Sequence, residues 1–323
     1  MLASYIEHVG PPEAIRYGKL ADPIGGPTDA VVDLIATTVN PVDALIRSGR
    51  FATPMPFPFI VGRDAVGTVV SVGAGVTGFR VGDLVWTNSL GHGGRQGAAA
   101  ERLVVPADRL YRLPEGVAPE VAVAVAHPAA TAFLALFVHA RIRPGDVVVV
   151  AGAAGNVGSA LVVLGREAGA RVVAIAAGRD AGYCRDLGAD AVIDYADDVT
   201  AQLQRACPHG IDVYVDTSGH NDFESIMDLM VLRGRIIVLA GGAGRPVLPV
   251  GALYTRDRSI IGFVISHATT AELFEASRAV NRLLAAGRLR PRQIERLRLA
   301  DLAEAHRRIE AGPMHGVRFV VAP

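Results

Sequence analysis

The pattern of hydrophobic and polar positions changes texture three times along the chain. Up to about residue 120, apolar and β-branched runs such as 30–39 and 67–72 alternate with Gly and Pro. Short strands between such breaks predict a β-rich, partly closed domain. After Pro119-Glu120 an Ala-rich helical stretch begins. From Val147 onward, apolar strands at 147–151, 171–176, 191–193, 213–216 and 235–239 are interleaved with helices near 157–167 and 181–187. That alternation predicts βαβ units and a parallel sheet. Beyond 262 the pattern changes again, to helices near 270–286 and 302–311 and a closing strand at 318–321. So short a tail holds no comfortable core of its own and is expected to return to the first domain. The expected division is 1–122, 123–262 and 263–323.

Two stretches, 121–138 and 147–165, are apolar enough to raise the question of a membrane span. The first is interrupted by His127-Pro128, and the second carries Gly152, Gly155, Gly158 and Asn156. Both read as buried elements of an α/β protein, so no membrane partner is expected.

Composition narrows the chemistry. The chain has 323 residues, enough for about two domains at roughly 150 residues each. Hydrophobic residues make up 50% and charged residues 20%, which excludes a disordered chain. Basic and acidic residues number 32 each, so no global field draws the protein to nucleic acid or an anionic membrane. Lys19 is the only lysine. A lysine Schiff base or a Walker lysine is therefore nearly excluded, and cationic roles fall to arginine or histidine. Cys184 and Cys207 build no disulfide framework and fit a reducing compartment, the cytoplasm. The first residues carry Glu7 and no basic-then-apolar signal pattern.

The strongest chemical signal is the run Val147–Ala151 followed by Gly152, Ala153, Ala154, Gly155, Asn156, Val157 and Gly158. A buried strand, a Gly-x-x-Gly-x-x-Gly turn and a helix are what a dinucleotide pyrophosphate requires. The turn must be tight, the backbone must come close to the phosphates, and free N–H groups must face them. The next strand ends without the usual ribose-binding acid. It offers Ala176, Ala177 and Gly178, then Arg179, a residue suited to a 2′-phosphate. NADP(H) is the expected cofactor, with Asp180 the reason for caution.

These residues resemble the medium-chain dehydrogenase/reductase superfamily, and within it the zinc-free quinone oxidoreductase branch. Further marks are Val39-Asn40-Pro41-Val42-Asp43 with Arg47 and Gly49, Gly62-Arg63-Asp64-Ala65-Val66-Gly67, Thr131-Ala132, and Leu187-Gly188-Ala189-Asp190 running to Tyr195. The resemblance covers essentially the whole chain. It implies an α/β protein: a GroES-like β-rich catalytic domain, built from both chain ends, plus a Rossmann doubly wound parallel sheet, with the cofactor in the cleft between them. It also implies a homodimer formed through the Rossmann sheet near 259–264.

The branch turns on residues that zinc members have and this chain lacks. Where they place a Cys, this chain reads Asn40-Pro41-Val42-Asp43, and where they place a His-Glu pair it reads Arg63-Asp64. No cluster with zinc spacing is left, so no metal is expected. The resemblance makes Asn40 the first choice for catalysis. It places Thr131 near the nicotinamide carboxamide or a phosphate, and Tyr195 at the 2′-phosphate beside Arg179 or Arg185. Ser218, Ala240, Gly241, Phe263 and Val264 fall along the nicotinamide half. Arg318, near a relatives' Gly-Lys, is a further candidate for the phosphate. Asp43, Arg47, Trp86, His92 and His267 are candidates for the substrate pocket.

The reaction implied is hydride transfer from NADPH to a quinone or enone, with a polar group such as Asn40 steadying the oxyanion and no dedicated general acid in view. Reduction of an enoyl thioester is the alternative. A non-catalytic NADPH- or RNA-binding protein is the alternative of another class. Its one support is the stretch 278–318, with ten Arg against four Asp or Glu, which reads more simply as solvated helix faces.

Overall fold

The computed structural model describes residues 1–312 and 314–323. They form two compact units, Met1–His127 with Thr269–Pro323, and Pro128–Ala268. The first boundary falls inside the helix Pro119–Phe133.

The second unit is built on a six-stranded sheet. Its strands lie side by side in the order Ala191–Asp194, Arg171–Ala176, Val147–Ala151, Ile211–Asp216, Met230–Val238 and Ser259–Gly262, and all pair in parallel. Counted along the chain, this is the order 3-2-1-4-5-6 of a doubly wound dinucleotide-binding sheet. Its switch point lies between Val147–Ala151 and Ile211–Asp216, where the chain turns back to fill the other half. The strands are apolar on both faces because helices cover both. Val149, Val173, Ile175, Ile211, Met227 and Ile236 are among the residues of one such packed layer.

The first unit is β-rich, as its Gly- and Pro-broken runs predict. A seven-stranded sheet carries, in order, Gln293–Arg298, Val317–Ala322, Asp29–Thr38, Ala65–Val72, Leu84–Thr87 and Tyr111–Arg112, with Arg102–Pro106 also paired to Asp29–Thr38. A three-stranded sheet joins Arg16–Lys19, Leu2–Ile6 and Phe59–Ile60. The tail does return to the first domain. Val320 and Val321 pair antiparallel with Thr38 and Thr37, and Phe319 and Val321 enter the same core as Val32, Leu34 and Val69.

The registers of three neighbouring strands then do something specific. Thr37 pairs with Ala65, so Asp64, one residue back, faces Thr38. Val320 pairs with Thr38, so Arg318, two residues back, faces Asn40. An amide, a carboxylate and a guanidinium thus meet at the ends of three neighbouring interior strands.

The helical segment Pro119–His139 is long and apolar enough to cross a membrane by length and composition. It is mostly buried, as a core helix is.

Candidate functional site

In the second unit, the predicted glycine turn closes between Val147–Ala151 and the helix Asn156–Glu167. Gly152 has φ +79°, and a Cβ there would meet Thr217 Oγ1 at 2.5 Å. A Cβ at Gly158 would meet the Gly152 carbonyl oxygen at 2.1 Å. Only glycine allows this turn to fold back so closely on its own helix. Gly155 is the N-cap and offers no side chain to the first-turn N–H groups. Ala154, Asn156 and Val157, half-buried, surround that helix start. Donors left without a cap at the switch point of a doubly wound sheet fit a dinucleotide pyrophosphate.

The neighbouring loops are tied by Asp216 at the end of its strand. Asp216 Oδ1 accepts from the N–H of Ser218 at 2.7 Å, the Ser218 hydroxyl at 2.8 Å and the Gly219 N–H at 2.9 Å. Its Oδ2 accepts from Asn221 N–H at 2.7 Å, and Asn221 Nδ2 donates to the Ala240 carbonyl at 3.1 Å. Ser218, Ala240 and Gly241, three expected cofactor neighbours, therefore sit on loops that share one anchor. Arg179 lies exposed in the short turn Gly178–Asp180 after the second strand, and Tyr195 is exposed just past Ala191–Asp194. Thr131 is buried in its helix. Phe263 stacks on His139 with ring centroids 4.1 Å apart, next to Val264. His267 is exposed, at the end of the turn Ile265–His267.

In the first unit, Asn40 is the N-cap of the helix Pro41–Arg47 and is buried. Its Nδ2 donates to Asp64 Oδ2 at 2.8 Å and to Asp43 Oδ2 at 3.4 Å. Its Oδ1 accepts from Arg318 at 3.1 Å. Asp43 Oδ2 also accepts from the Asn40 backbone N–H at 2.7 Å, while Asp43 Oδ1 is buried without a hydrogen-bond partner. Asp64 Oδ2 accepts from the Thr38 hydroxyl at 2.9 Å, and Asp64 Oδ1 pairs with His127 Nδ1 at 3.1 Å. Both ends of the Asn40 amide are committed, which makes it the hub of a buried network.

The two carboxylates titrate apart. Burial, reinforced by the charge of Asp64, pushes Asp43 up to about 6. Burial acts on Asp64 in the same direction. The charge and hydrogen bond of His127, the charge of Arg318 and the Asn40 hydrogen bond outweigh it and hold Asp64 below the usual carboxylate range.

Arg318 corrects an expectation. It is buried and donates to the carbonyls of Ala124 at 2.9 Å and Val39 at 3.4 Å, to the Thr38 hydroxyl at 3.1 Å, and to Asn40. With Asp64 Oδ2 also 3.9 Å away, the guanidinium is spent inside this network and not on a cofactor phosphate. The Ala124 carbonyl needs it. Pro128, four residues on, has no N–H to close the helical bond.

Arg47 is also corrected. It leaves the far end of its helix, fully buried, and donates to the Gly10 carbonyl at 2.8 Å and to Glu310 at 2.5 Å. It ties two chain segments together, a structural role in place of the expected pocket position. Trp86 is a core residue: its Nε1–H donates to Asn281 Oδ1 at 2.9 Å and its ring lies 4.7 Å from that of Tyr111. His92 is half-buried with its ring 5.7 Å from Phe51. The sequence reading missed His127 and Thr38. Pro128, whose missing N–H frees the Ala124 carbonyl that Arg318 satisfies, signals the place of Arg318 but of neither of these two.

Among the described residues, no group of three or more His, Cys, Asp or Glu is placed to hold a metal ion. Residues 26–115 match the family described as alcohol dehydrogenase GroES-like domain, and residues 156–282 that described as zinc-binding dehydrogenase. The chain is 29% identical over 320 residues to a quinone oxidoreductase of Pongo abelii, covering 97% of this chain and 94% of that one. It is 30% identical over 299 residues to a quinone oxidoreductase of Sus scrofa, covering 90% and 88%. Among solved structures, an NAD-dependent alcohol dehydrogenase superposes with a TM-score of 0.88 at 29% identity, covering all of both chains. A Pseudomonas syringae quinone oxidoreductase gives 0.87 at 26%, covering 100% of this chain and 99% of that one. A mycobacterial protein solved with NADPH gives 0.85 at 26%, covering all of both. With the 3-2-1-4-5-6 sheet, the glycine cradle and both matched families in place, the chain belongs to the medium-chain dehydrogenase/reductase superfamily, as a quinone oxidoreductase-like member.

Proposed function

We propose that the protein is an NADPH-dependent reductase of conjugated carbonyls, a quinone or an enone, that works without zinc. The observation that carries this reading is the Asn40–Asp64–Arg318 network. Its permanent cation is a guanidinium spent on side-chain and backbone oxygens, and its other members offer two carboxylates and one imidazole. That set suits holding and passing a proton, in keeping with the names of the quinone oxidoreductase relatives.

The residues of the second unit would hold the cofactor. Backbone N–H groups at Asn156 and Val157 would meet the pyrophosphate, Arg179 and Tyr195 would serve the 2′-phosphate, and the loops anchored by Asp216 would carry the nicotinamide half. When bound, the nicotinamide supplies a hydride. In the first unit, Asn40 is committed at both ends of its amide and keeps the two carboxylates and Arg318 in register, so that its role is to position the groups that hold a proton and not to bind the substrate oxygen itself. We extend the reading to a homodimer in which a second copy adds to the edge strand Ser259–Gly262.

The test is NADPH consumption with 1,4-benzoquinone, a simple enone and crotonyl-CoA, each repeated with NADH and after a chelator. The expected result is turnover of quinone or enone, a preference for NADPH and no effect of the chelator. Preferred turnover of crotonyl-CoA would replace the substrate class with an enoyl thioester. Loss of activity to the chelator would overturn the zinc-free reading.

A further inference from the structure

We infer that His127 is the proton donor of this site and that Asp64 is its positioning residue. The inference rests on the reductase reading above and adds the general acid which that reading lacks.

The dyad is set by geometry. His127 Nδ1 lies 3.1 Å from Asp64 Oδ1. Asp64 is fully buried, and its other oxygen is already taken by the Thr38 hydroxyl and the Asn40 amide. A carboxylate held as the anion accepts and cannot donate, so Nδ1 carries the hydrogen of this pair. That fixes the tautomer and leaves Nε2 as the nitrogen that gains and loses a proton. His127 is also the member of the network most open to solvent, with 8% of its side chain exposed against 0% for Asp64 and 4% for Arg318. Of the network's members, the imidazole is therefore the best placed to exchange a proton with water. The charged groups around the dyad are Asp43 on the helix Pro41–Arg47, Arg63 beside Asp64, and Arg318 on the returning strand. Arg318 and Arg63 keep the pair of carboxylates from being a net buried negative charge.

The step balances. A bound nicotinamide would supply the hydride, and its transfer to the conjugated carbonyl would leave an electron pair on the carbonyl oxygen. The Nε2–H bond of the imidazolium breaks, an O–H bond forms, and a neutral imidazole remains with Nδ1–H on Asp64. Solvent then restores the proton at Nε2.

The experiment pairs two readouts. In protein labelled with ¹⁵N-histidine and carrying no cofactor, the His127 resonances should show protonated Nδ1 in the neutral ring. Asp64→Asn should abolish that preference. In the reductase assay, His127→Asn keeps an amide donor for Asp64 and removes the second nitrogen. Its kcat should fall by about a hundredfold or more, with little change in KM for NADPH and with loss of the solvent isotope effect. The decline of the wild-type rate at rising pH should vanish in His127→Asn and persist in Asp43→Asn, which separates the imidazole from the neighbouring acid. A wild-type chain that reduces no acceptor overturns the reductase reading and this one together. An active wild type with an equally active His127→Asn, or a His127 ring protonated on Nε2 alone, overturns the proton donor only.

Discussion

Replacing Arg318 by Met tests whether this side chain serves the fold or a cofactor phosphate. The methionine fills similar space but leaves four acceptors behind: the Ala124 and Val39 carbonyls, the Thr38 hydroxyl and the Asn40 amide oxygen. It also removes the cation facing buried Asp64 at 3.9 Å. Taking one partner from a buried pair costs about 3–5 kcal/mol, because the other charge stays buried without compensation. That is a large share of the roughly 5–15 kcal/mol that a domain has. At about 2–4 °C per kcal/mol for a unit of this size, the midpoint should drop by about 6–20 °C. Trp86 is the only tryptophan of the chain and is buried in the same unit, so its fluorescence in urea reports this unit's unfolding directly. In the double variant Asp64→Asn/Arg318→Met, no unpaired carboxylate is left at position 64. Its loss should be smaller than the sum of the two single losses by at least about 1 kcal/mol. The reasoning fails if Arg318→Met unfolds within about 1 kcal/mol of the wild type while its KM for NADPH rises about tenfold. That outcome would return Arg318 to the phosphate.

Three other expectations are open to measurement. Arg179→Ala should raise KM for NADPH by about tenfold or more and leave KM for NADH nearly unchanged, since one charge-assisted hydrogen bond is worth about 1.5–3 kcal/mol; equal effects on both cofactors would contradict the 2′-phosphate assignment. His306 is fully buried with neither ring nitrogen hydrogen-bonded, and burial together with Arg47 pushes it down to about 3 from 6.5. A depressed group stabilises above its unfolded value and loses that contribution as pH falls, so from pH 6.5 downward the wild type should lose about 1.4 kcal/mol per pH unit from this residue, and His306→Leu should not. Asp43 has the opposite sign: raised to about 6 by burial and by Asp64, it costs stability as pH rises toward and through 6, so Asp43→Asn should be the more stable protein at pH 8 and lose its advantage near pH 4.

Much of this architecture could be read from residue pattern alone. The strands Val147–Ala151 and Arg171–Ala176 and the helix Leu302–Ala311 stand where their apolar periodicity puts them, because burial and local preference agree there. The strand Gln293–Arg298 escaped notice for a physical reason. It is an edge strand whose charges are used in pairs, Glu295 with Arg308 and Arg296 with Glu120, so it lacks an apolar run. The glycine turn was legible because its chemistry is local. The Asn40 network was not, because residues 38, 40, 64 and 318 are joined by strand register and residue 127 comes from the helix Pro119–Phe133. A shift of one residue in the Val320–Thr38 pairing would take Arg318 out of it. Arg47 and Arg318 mislead in the same way, since a lone arginine near a motif gives no sign of whether its partner is a ligand or a buried carbonyl.

The most direct test of the central claim follows the hydride itself. NADPH deuterated at C4 on one face or the other is given to the protein with an enone, and the product is weighed by mass spectrometry. The account predicts that deuterium from one of the two labelled cofactors, and not the other, appears on carbon in the reduced enone. A product that carries no deuterium from either, or no NADPH-dependent product at all, would contradict it.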